Sequence, residues 1–168
     1  MAMRYCIQRA TSVDVAFLAS VMDETEDRWA ADGEPMPVDR LLQTCACSTQ
    51  VWAARDVEGT PTALWGVAPG GDDPAVGQLW MLAGEALDDD VGVLEALCRL
   101  VIGEMLVEFP RLENLVDARK VRAIAMLRRL GFTVEPALPQ REEDGDLHRV
   151  WIDSDRLQGG TTVSRLPC

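Results

Sequence analysis

A strand, a long helix and a second strand in the middle of the chain constrain its fold more than any other feature. The apolar run "AVGQLWMLAG" predicts a strand over 76–83. Residues 90–109 predict a helix that Pro110 ends, and its apolar stripe at helical spacing consists of Val91, Leu94, Leu97, Val101, Met105 and Phe109. The stretch "RLENLVDA" predicts the next strand, over 112–118. Because such a crossover joins strands of one sheet, we expect these two strands to be parallel neighbours.

The flanking elements place this pair in a mixed sheet. Residues 4–10 alternate and predict a first strand, and two helices follow it, the first capped by Thr11. The segments "TQVWAARDV" and "TALWGVAP" predict a hairpin. After the crossover, "VRAIAMLRRLG" predicts a helix, and "FTVEPAL" and "DLHRVWID" predict two last strands. The predicted class is α/β (α+β), in the order β-α-α-β-β-β-α-β-α-β-β, with helices on both faces.

Length and charge limit the classes of function. The 168 residues predict one domain over 1–153, followed by an aperiodic tail over 154–168 that we expect to be mobile. A net charge of −12 argues against nucleic acid as a partner, although a DNA mimic and an ordinary acidic surface would both carry it. No apolar run reaches about 18 residues, so no membrane span is predicted. The first residues lack the apolar stretch of an export signal, which favours the cytoplasm.

The cysteines predict neither disulfides nor a metal site. An odd number in a chain without a predicted export signal is typical of reduced thiols. The pair in "CAC" has only one histidine, His148, as a further soft ligand, and zinc usually takes four ligands. We therefore expect no metal. The cysteines are Cys6, Cys45, Cys47, Cys98 and Cys168.

Residues 120–132, "KVRAIAMLRRLGF", resemble the last helix of the GNAT superfamily of N-acetyltransferases, which tends to read Asn-x-x-Ala-x-x-x-Tyr-x-x-x-Gly-Phe. The element order is also found in that superfamily, and the resemblance extends to about residue 153. The phrases "QLWMLAGEAL" and "LENLVDARKVRAIAMLRRLGF" look most similar to small GNAT-like proteins of tailed bacteriophages. The matching positions of the helix are Ala123, Ile124, Leu130, Gly131 and Phe132.

The resemblance implies an acetyl-CoA site where the fourth and fifth strands splay apart. Backbone groups of Trp80, Met81 and Leu82 would pair with the pantetheine arm. The pyrophosphate would lie after Gly84, on the amides that open the next helix, because a helix N-terminus attracts anions. A small-molecule or protein amine would accept the acetyl group.

The phosphate loop departs from the superfamily pattern, Gln/Arg-x-x-Gly-x-Gly/Ala. Here "MLAGEALDDDVG" offers only Gly84 and Gly92. Like charges about 4 Å apart repel by about 1 kcal/mol even in water, so the loop predicts weak or absent acetyl-CoA binding. The aspartates are also suited to capping the helix that follows. The four acids of the loop are Glu85, Asp88, Asp89 and Asp90.

The last helix departs at both of its polar positions. Lys120 stands where the superfamily has Asn, and Leu127 stands where it has Tyr. Leu127 cannot protonate a leaving thiolate, although some enzymes of the superfamily leave that step to water. Lys120, Arg119 and Arg122 could hold phosphates, or they could form a solvated helix face.

Few residues qualify as a general base. Asp117, at the end of its strand, is one candidate, although it is also placed to cap the following helix. Glu85 is the other. Trp65 and Trp80 lie in apolar strands and are predicted core residues, whereas Trp29 is a candidate for an acceptor groove or a protein interface.

Two functions therefore remain open. The first is an acetyl-CoA-dependent N-acetyltransferase. The second is a protein of the same fold that has lost acetyl transfer and binds a host or virion protein. The fold favours the first, and the departures in the site favour the second.

Overall fold

The computed structural model describes residues 4–21, 38–84, 87, 90–138 and 145–157. They form a seven-stranded sheet and five helices. The strands are β1 Tyr5–Arg9, β2 Gln50–Asp56, β3 Pro61–Gly70, β4 Asp73–Ala83, β5 Arg111–Asp117, β6 Thr133–Val134 and β7 Leu147–Asp153. The helices are α1 Ser12–Val21, α2 Val38–Cys47, α3 Val91–Glu108, α4 Val121–Leu130 and α5 Ser154–Leu157.

The sheet confirms the predicted parallel pair and the mixed α/β class. Its strand order is β1-β2-β3-β4-β5-β7-β6, and every pairing is antiparallel except that of β4 with β5. The parallel pairing is short, because it begins at Val76 opposite Arg111 and ends at Gln78 opposite Glu113. Both strands continue beyond this point without pairing to each other.

The larger core lies between the sheet and the helices α3 and α4. The predicted stripe of α3 is buried at Leu94, Leu97, Val101 and Met105, and it packs in one cluster with both helices and the facing strands. The prediction was wrong for Val91, which is 38% exposed. Val91 is the first residue of the helix.

The second face of the sheet is covered by α1 and α2. Trp80 and Leu82 of β4 pack there against Leu18 and Leu41, so helices lie on both faces as predicted. Thr11 caps α1 as expected, because its Oγ1 accepts a hydrogen bond from the Asp14 amide at 3.3 Å.

The last elements differ in detail from the sequence prediction. The segment "FTVEPAL" contributes only the two residues of β6, because Pro136 interrupts it, and Leu138 then forms an isolated bridge with Leu147. The short helix α5 occupies the first residues of the predicted tail, and residues 158–168 lie outside the described part. No helix within the described residues is long and apolar enough to cross a membrane.

Candidate functional site

The strands β4 and β5 part after Gln78 and Glu113, the last pair of their parallel ladder. Residues 79–83 of β4 remain paired with β3 on their other edge. Within the described sheet, the β5-facing backbone N–H and C=O groups of this segment therefore have no strand partner. Such an edge can pair with an extended ligand, as an open sheet edge does with a peptide.

A groove of about 620 Å³ lies at this gap, between the end of β4, the first turn of α3 and one face of α4. Its wall on β4 includes Met81, and its wall on α3 includes Val91 and Leu94. Most of the remaining wall is α4 and the turn that precedes it. The residues there are Arg119, Lys120, Val121, Arg122, Ala123, Ala125, Met126 and Arg129.

The groove is basic although the chain is strongly acidic. Four of its described lining residues are Arg or Lys and none is Asp or Glu, whereas the whole chain has a net charge of −12. Arg129 is held by Glu95 at 3.1 Å. No ion pair joins Arg122 to another described residue. Because the chain as a whole is strongly acidic, this local concentration of positive charge favours an anionic ligand.

A carboxylate of the chain itself caps the start of α3. Asp90 is the N-cap, and its Oδ1 accepts a hydrogen bond from the Val93 amide at 3.3 Å. The capping interpretation is thus confirmed for Asp90. Gly84, at the end of β4, donates its amide to the Thr62 carbonyl at 2.8 Å. The other acids of the loop, Glu85, Asp88 and Asp89, lie outside the described residues.

A second, much smaller cavity of about 30 Å³ lies deeper between the parted strands. Leu127 lines it and is only 7% exposed. The position that the resemblance assigns to the superfamily's Tyr is therefore beside the gap, and its side chain ends in methyl groups. Lys120 lines the outer groove. Trp65 and Trp80 are buried as predicted, and the Trp80 indole N–H donates to Ser48 Oγ at 2.9 Å.

A chain of polar contacts forms one wall of this inner cavity. The Trp65 indole N–H donates to Cys98 Sγ at 3.4 Å, and the Cys98 thiol donates to Met81 Sδ at 3.6 Å. Burial raises the pKa of the Cys98 thiol to about 12. Cys98 is therefore a neutral packing residue and an unsuitable nucleophile.

Asp117 is buried at the end of β5 and is bound by Arg119. Its Oδ1 accepts from the Arg119 amide at 2.8 Å, and its Oδ2 lies 2.5 Å from Arg119 Nη2. The hydrogen bond from this guanidinium holds the pKa of Asp117 below its ordinary value. The N-cap of α4 is Lys120, so the capping interpretation of Asp117 was wrong. The carboxylate closes the turn before the helix instead.

The other residues singled out in the sequence lie away from the gap or outside the described part. His148 contacts the Glu135 carbonyl oxygen through Nδ1 at 2.7 Å, on the far side of β7 from β5. Trp29 lies outside the described residues. Within those residues no group of His, Cys, Asp and Glu side chains is placed to hold a metal ion.

The sequence interpretation missed Arg129 and Met126 as groove residues. Met126 follows Arg122 by four positions and Arg129 follows it by seven, so all three lie on the same face of α4. That spacing could have identified them. The Trp65–Cys98–Met81 contacts join three separate elements, and no local pattern in the sequence indicates them.

Known structures share this architecture. No protein-family model and no curated protein matches the sequence. A spermidine N-acetyltransferase from Vibrio cholerae, solved with CoA and spermine, superposes with a TM-score of 0.72 at 12% identity, over 93% of this chain and 99% of that one. The chain has the GNAT fold. A GNAT-family acetyltransferase from Streptococcus pneumoniae gives 0.65 at 16% identity, over 89% and 99% of the two chains.

The groove lies where β4 and β5 part, and the helices that flank this gap, α3 and α4, form its two sides. At these identities the likeness concerns the fold alone. The chemistry of the site depends on the side chains of this chain.

Proposed function

We propose that this protein is an acyl-CoA-dependent N-acyltransferase that binds its donor in the groove between β4, α3 and α4. The observation that carries the proposal is the unpaired edge of β4 leading into a basic groove. Coenzyme A joins an amide-bearing arm to several phosphates. The arm matches the hydrogen-bonding edge of residues 79–83, and the phosphates match the basic side chains of α4.

The phosphates of the donor fit the α4 side of the groove better than the start of α3. Arg122 and Lys120 line the groove and can contact phosphate oxygens. The first amides of α3 are suited to an anion, but the Asp90 carboxylate already accepts one of them. We therefore expect most of the affinity for the donor to come from the pairing of its amide-bearing arm with β4 and from the contacts of its phosphates with Lys120 and Arg122. The acids that precede α3 should weaken donor binding.

The reaction would be a direct acyl transfer. The lone pair of the amine nitrogen attacks the thioester carbonyl carbon, the C–N bond forms, and the C–S bond breaks with its electron pair going to sulfur. The amine then loses one proton, and the thiolate gains one. Leu127 has no proton to give, and the pKa of Cys98 is about 12. We therefore propose that water protonates the thiolate.

Asp117 and Glu85 are the proposed acceptors of the amine proton. Asp117 ends β5 beside the gap, but its ion pair with Arg119 favours the carboxylate and lowers its basicity. A base with a low pKa accepts a proton from an ammonium ion poorly. The rate of transfer should therefore rise with pH, as a larger fraction of the acceptor amine becomes neutral.

The acceptor is proposed to be a cationic small molecule or a protein amine. The Vibrio cholerae structure contains spermine beside CoA. A chain with a net charge of −12 attracts polycations through its long-range field. Polyamines are therefore the first acceptors to test, followed by lysine-containing peptides.

The experiment has two stages. Calorimetric titration with acetyl-CoA at low salt should give saturable binding with one site per chain. Release of free CoA thiol should then depend on an added amine, with an incubation without amine as the control for hydrolysis. Absence of binding at about 1 mM acetyl-CoA, weaker than roughly −4 kcal/mol, would overturn the proposal.

A second candidate is a GNAT-fold protein that binds without transferring. The described residues that line the groove and the inner cavity include no Asp, Glu, His or Tyr. Saturable acetyl-CoA binding without acyl transfer to any amine would favour this candidate. Its partner is then proposed to be a host or virion protein in the host cytoplasm, a proposal supported by the resemblance of the sequence to phage proteins.

A further inference from the structure

Asn114 lies at the point where β5 parts from β4. It directly follows Glu113, the last residue of β5 that is paired with β4, and its side chain lines the inner cavity. It is the only asparagine of the chain, and asparagine is disfavoured in strands. The chain thus places this residue type once, at a position that strand geometry disfavours, which indicates a local role.

The Asn114 side chain covers part of the unpaired edge of β5. The Ala118 amide donates to the Asp146 carbonyl at 2.9 Å, so the even-numbered residues of β5 form hydrogen bonds with β7. The Leu115 amide therefore points toward β4, beyond the end of their pairing. It donates to Asn114 Oδ1 at 2.7 Å. This hydrogen bond holds the side-chain amide of Asn114 at the edge of the gap.

The nitrogen of the same side chain, Nδ2, carries two N–H donors. No hydrogen bond joins it to another described residue. The other side-chain donors among the described lining residues each have an acceptor: the Trp65 indole donates to Cys98, the Cys98 thiol to Met81 and the Trp80 indole to Ser48. Enclosed donors without acceptors are uncommon in folded proteins. Nδ2 of Asn114 is therefore available to a ligand that enters the gap.

The proposed donor would bring its sulfur to Asn114. The Gly84 amide donates to the Thr62 carbonyl, so the odd-numbered residues 79, 81 and 83 of β4 carry the backbone groups that face the gap. The basic side chains of the groove lie at the open end of the gap, beyond the end of β5. An arm whose phosphates lie there runs along β4 toward the last pair of the parallel ladder. The sulfur, at the far end of the arm, then arrives beside Asn114.

We propose that Nδ2 of Asn114 donates a hydrogen bond to the sulfur of the donor and stabilises the thiolate that leaves on acyl transfer. This inference rests on the proposed function, because the donor must occupy the groove for its sulfur to reach Asn114. When the C–S bond breaks, its electron pair goes to sulfur. A hydrogen-bond donor that is already fixed beside that atom favours the charged form. Water then supplies the proton, and Asn114 keeps its own.

The test measures the pKa of the thiol of bound CoA in wild type, Asn114→Leu and Val116→Ala. Free CoA is the probe, at a concentration that calorimetry shows to be saturating for each protein. The ultraviolet absorbance of the thiolate is followed against pH, with the protein without CoA as the blank. Asn114→Leu replaces the amide with an apolar group of similar size. Its bound thiol should titrate about one unit higher than in wild type, a tenfold loss of thiolate at a given pH.

Val116→Ala is the matched control for packing. Val116 lines the same cavity from the same strand, but its side chain donates no hydrogen bond. The bound thiol in Val116→Ala should therefore titrate within about 0.3 unit of its wild-type value. If Asn114→Leu does not fold, Asn114→Asp is measured instead. Its carboxylate keeps an acceptor for the Leu115 amide and lacks the donor, so the bound thiol should again titrate above its wild-type value.

The outcomes separate this inference from the proposed function. Equal thiol pKa values in wild type and in a folded Asn114 variant would overturn the inference and leave the proposed function intact. An equal rise in Val116→Ala would also overturn it, because packing alone would then account for the shift. Failure of CoA to bind wild type would overturn both.

Discussion

Arg119 binds the Asp117 carboxylate through its backbone amide at 2.8 Å and through its guanidinium, whose Nε lies 3.0 Å from both carboxylate oxygens and whose Nη2 lies 2.5 Å from Oδ2. The acid ends β5 and is 4% exposed, whereas the Arg119 side chain is 79% exposed and lines the groove. One ion pair thus links the end of a central strand to the basic wall. It holds Asp117 as an anion and positions Arg119 at the groove.

The Asp117–Arg119 pair predicts a pH-dependent contribution to stability. The guanidinium lowers the pKa of Asp117 in the folded state, so the contribution is present above the unfolded pKa of about 3.9. It is lost as the pH falls through the lower folded value. The urea midpoint of Asp117→Asn should therefore lie below that of wild type at pH 5–7, and the difference should shrink below about pH 4.

Asp72→Asn is the control for Asp117→Asn. Asp72 lies in the exposed turn between β3 and β4, and its substitution changes the net charge equally. If the urea midpoint of Asp117→Asn stayed below that of wild type by the same amount down to pH 2, the proposed role of the ion pair would be contradicted. Such a constant difference would point to a lost hydrogen-bond acceptor in place of a lost charge.

Reversal of one groove charge should weaken donor binding. Arg122 and Arg128 are both exposed on α4, but only Arg122 lines the groove. Arg122→Glu should weaken acetyl-CoA binding roughly 5- to 30-fold at low salt, because each charge contact is worth about 1 kcal/mol and the reversal removes one and adds a repulsion. Arg128→Glu should change it less than about threefold. Calorimetric titration measures both.

The same titrations at two salt concentrations check that the loss of affinity is electrostatic. Exposed charges are screened over about 8 Å at physiological ionic strength, so the difference between the two variants should narrow there. Equal losses for Arg122→Glu and Arg128→Glu would show that general charge, and not the groove, determines the affinity.

The buried stripe of α3 should dominate the stability of the larger core. Leu97 is 1% exposed and Val107, on the same helix, is 85% exposed. Leu97→Ala should lower the free energy of unfolding by about 2–5 kcal/mol, the range for leucines removed from cores. Val107→Ala should change it by less than about 0.5 kcal/mol. Chemical denaturation of the pair measures both, and a loss below about 0.5 kcal/mol for Leu97→Ala would contradict the assigned buried face.

Gly66 should tolerate no side chain, because β3 passes directly over the indole of Trp80. A Cβ at Gly66 would lie 2.1 Å from Trp80 Cε2, whereas one at Gly103 in α3 would meet nothing within 4 Å. Gly66→Ala should therefore lower the free energy of unfolding by about 1–3 kcal/mol. Gly103→Ala should raise it by about 0.5–1 kcal/mol, because alanine favours the helix. Thermal unfolding with unchanged or raised stability for Gly66→Ala would contradict the packing of Trp80.

The sequence predicted the fold well because its long-range order follows from local signals. The strand over 76–83, the helix over 90–109 and the strand over 112–118 each carry a strong pattern, and chain connectivity then requires a parallel pair. The point at which the pair separates, after Gln78, follows from packing between distant elements. No local pattern indicates it.

The site was predicted less completely, for a similar reason. Arg119, Lys120 and Arg122 were identified from the sequence as possible phosphate contacts, whereas Arg129 was missed although it lies on the same face of α4 as Arg122. The role of Asp117 was misassigned because both a cap and a turn place an acid just before a helix, and only the structure shows that Lys120 occupies the cap. The contact of Cys98 with Met81 depends on how α3 packs on β4, which the sequence does not specify.

The acids before α3 give the last prediction. Glu85, Asp88 and Asp89 are known from the sequence, and they precede the helix start at which Asp90 already holds an amide. Their replacement by Gln, Asn and Asn should strengthen acetyl-CoA binding about tenfold at low salt, because repulsion of a multivalent anion falls.

The matched control replaces Asp72, Asp73 and Asp155 with Asn, which removes the same charge from exposed positions elsewhere. Its affinity should rise much less, and both gains should shrink at physiological salt. Equal gains for the two triple variants, or a wild-type Kd below about 10 μM, roughly −7 kcal/mol, would show that these acids do not oppose the donor.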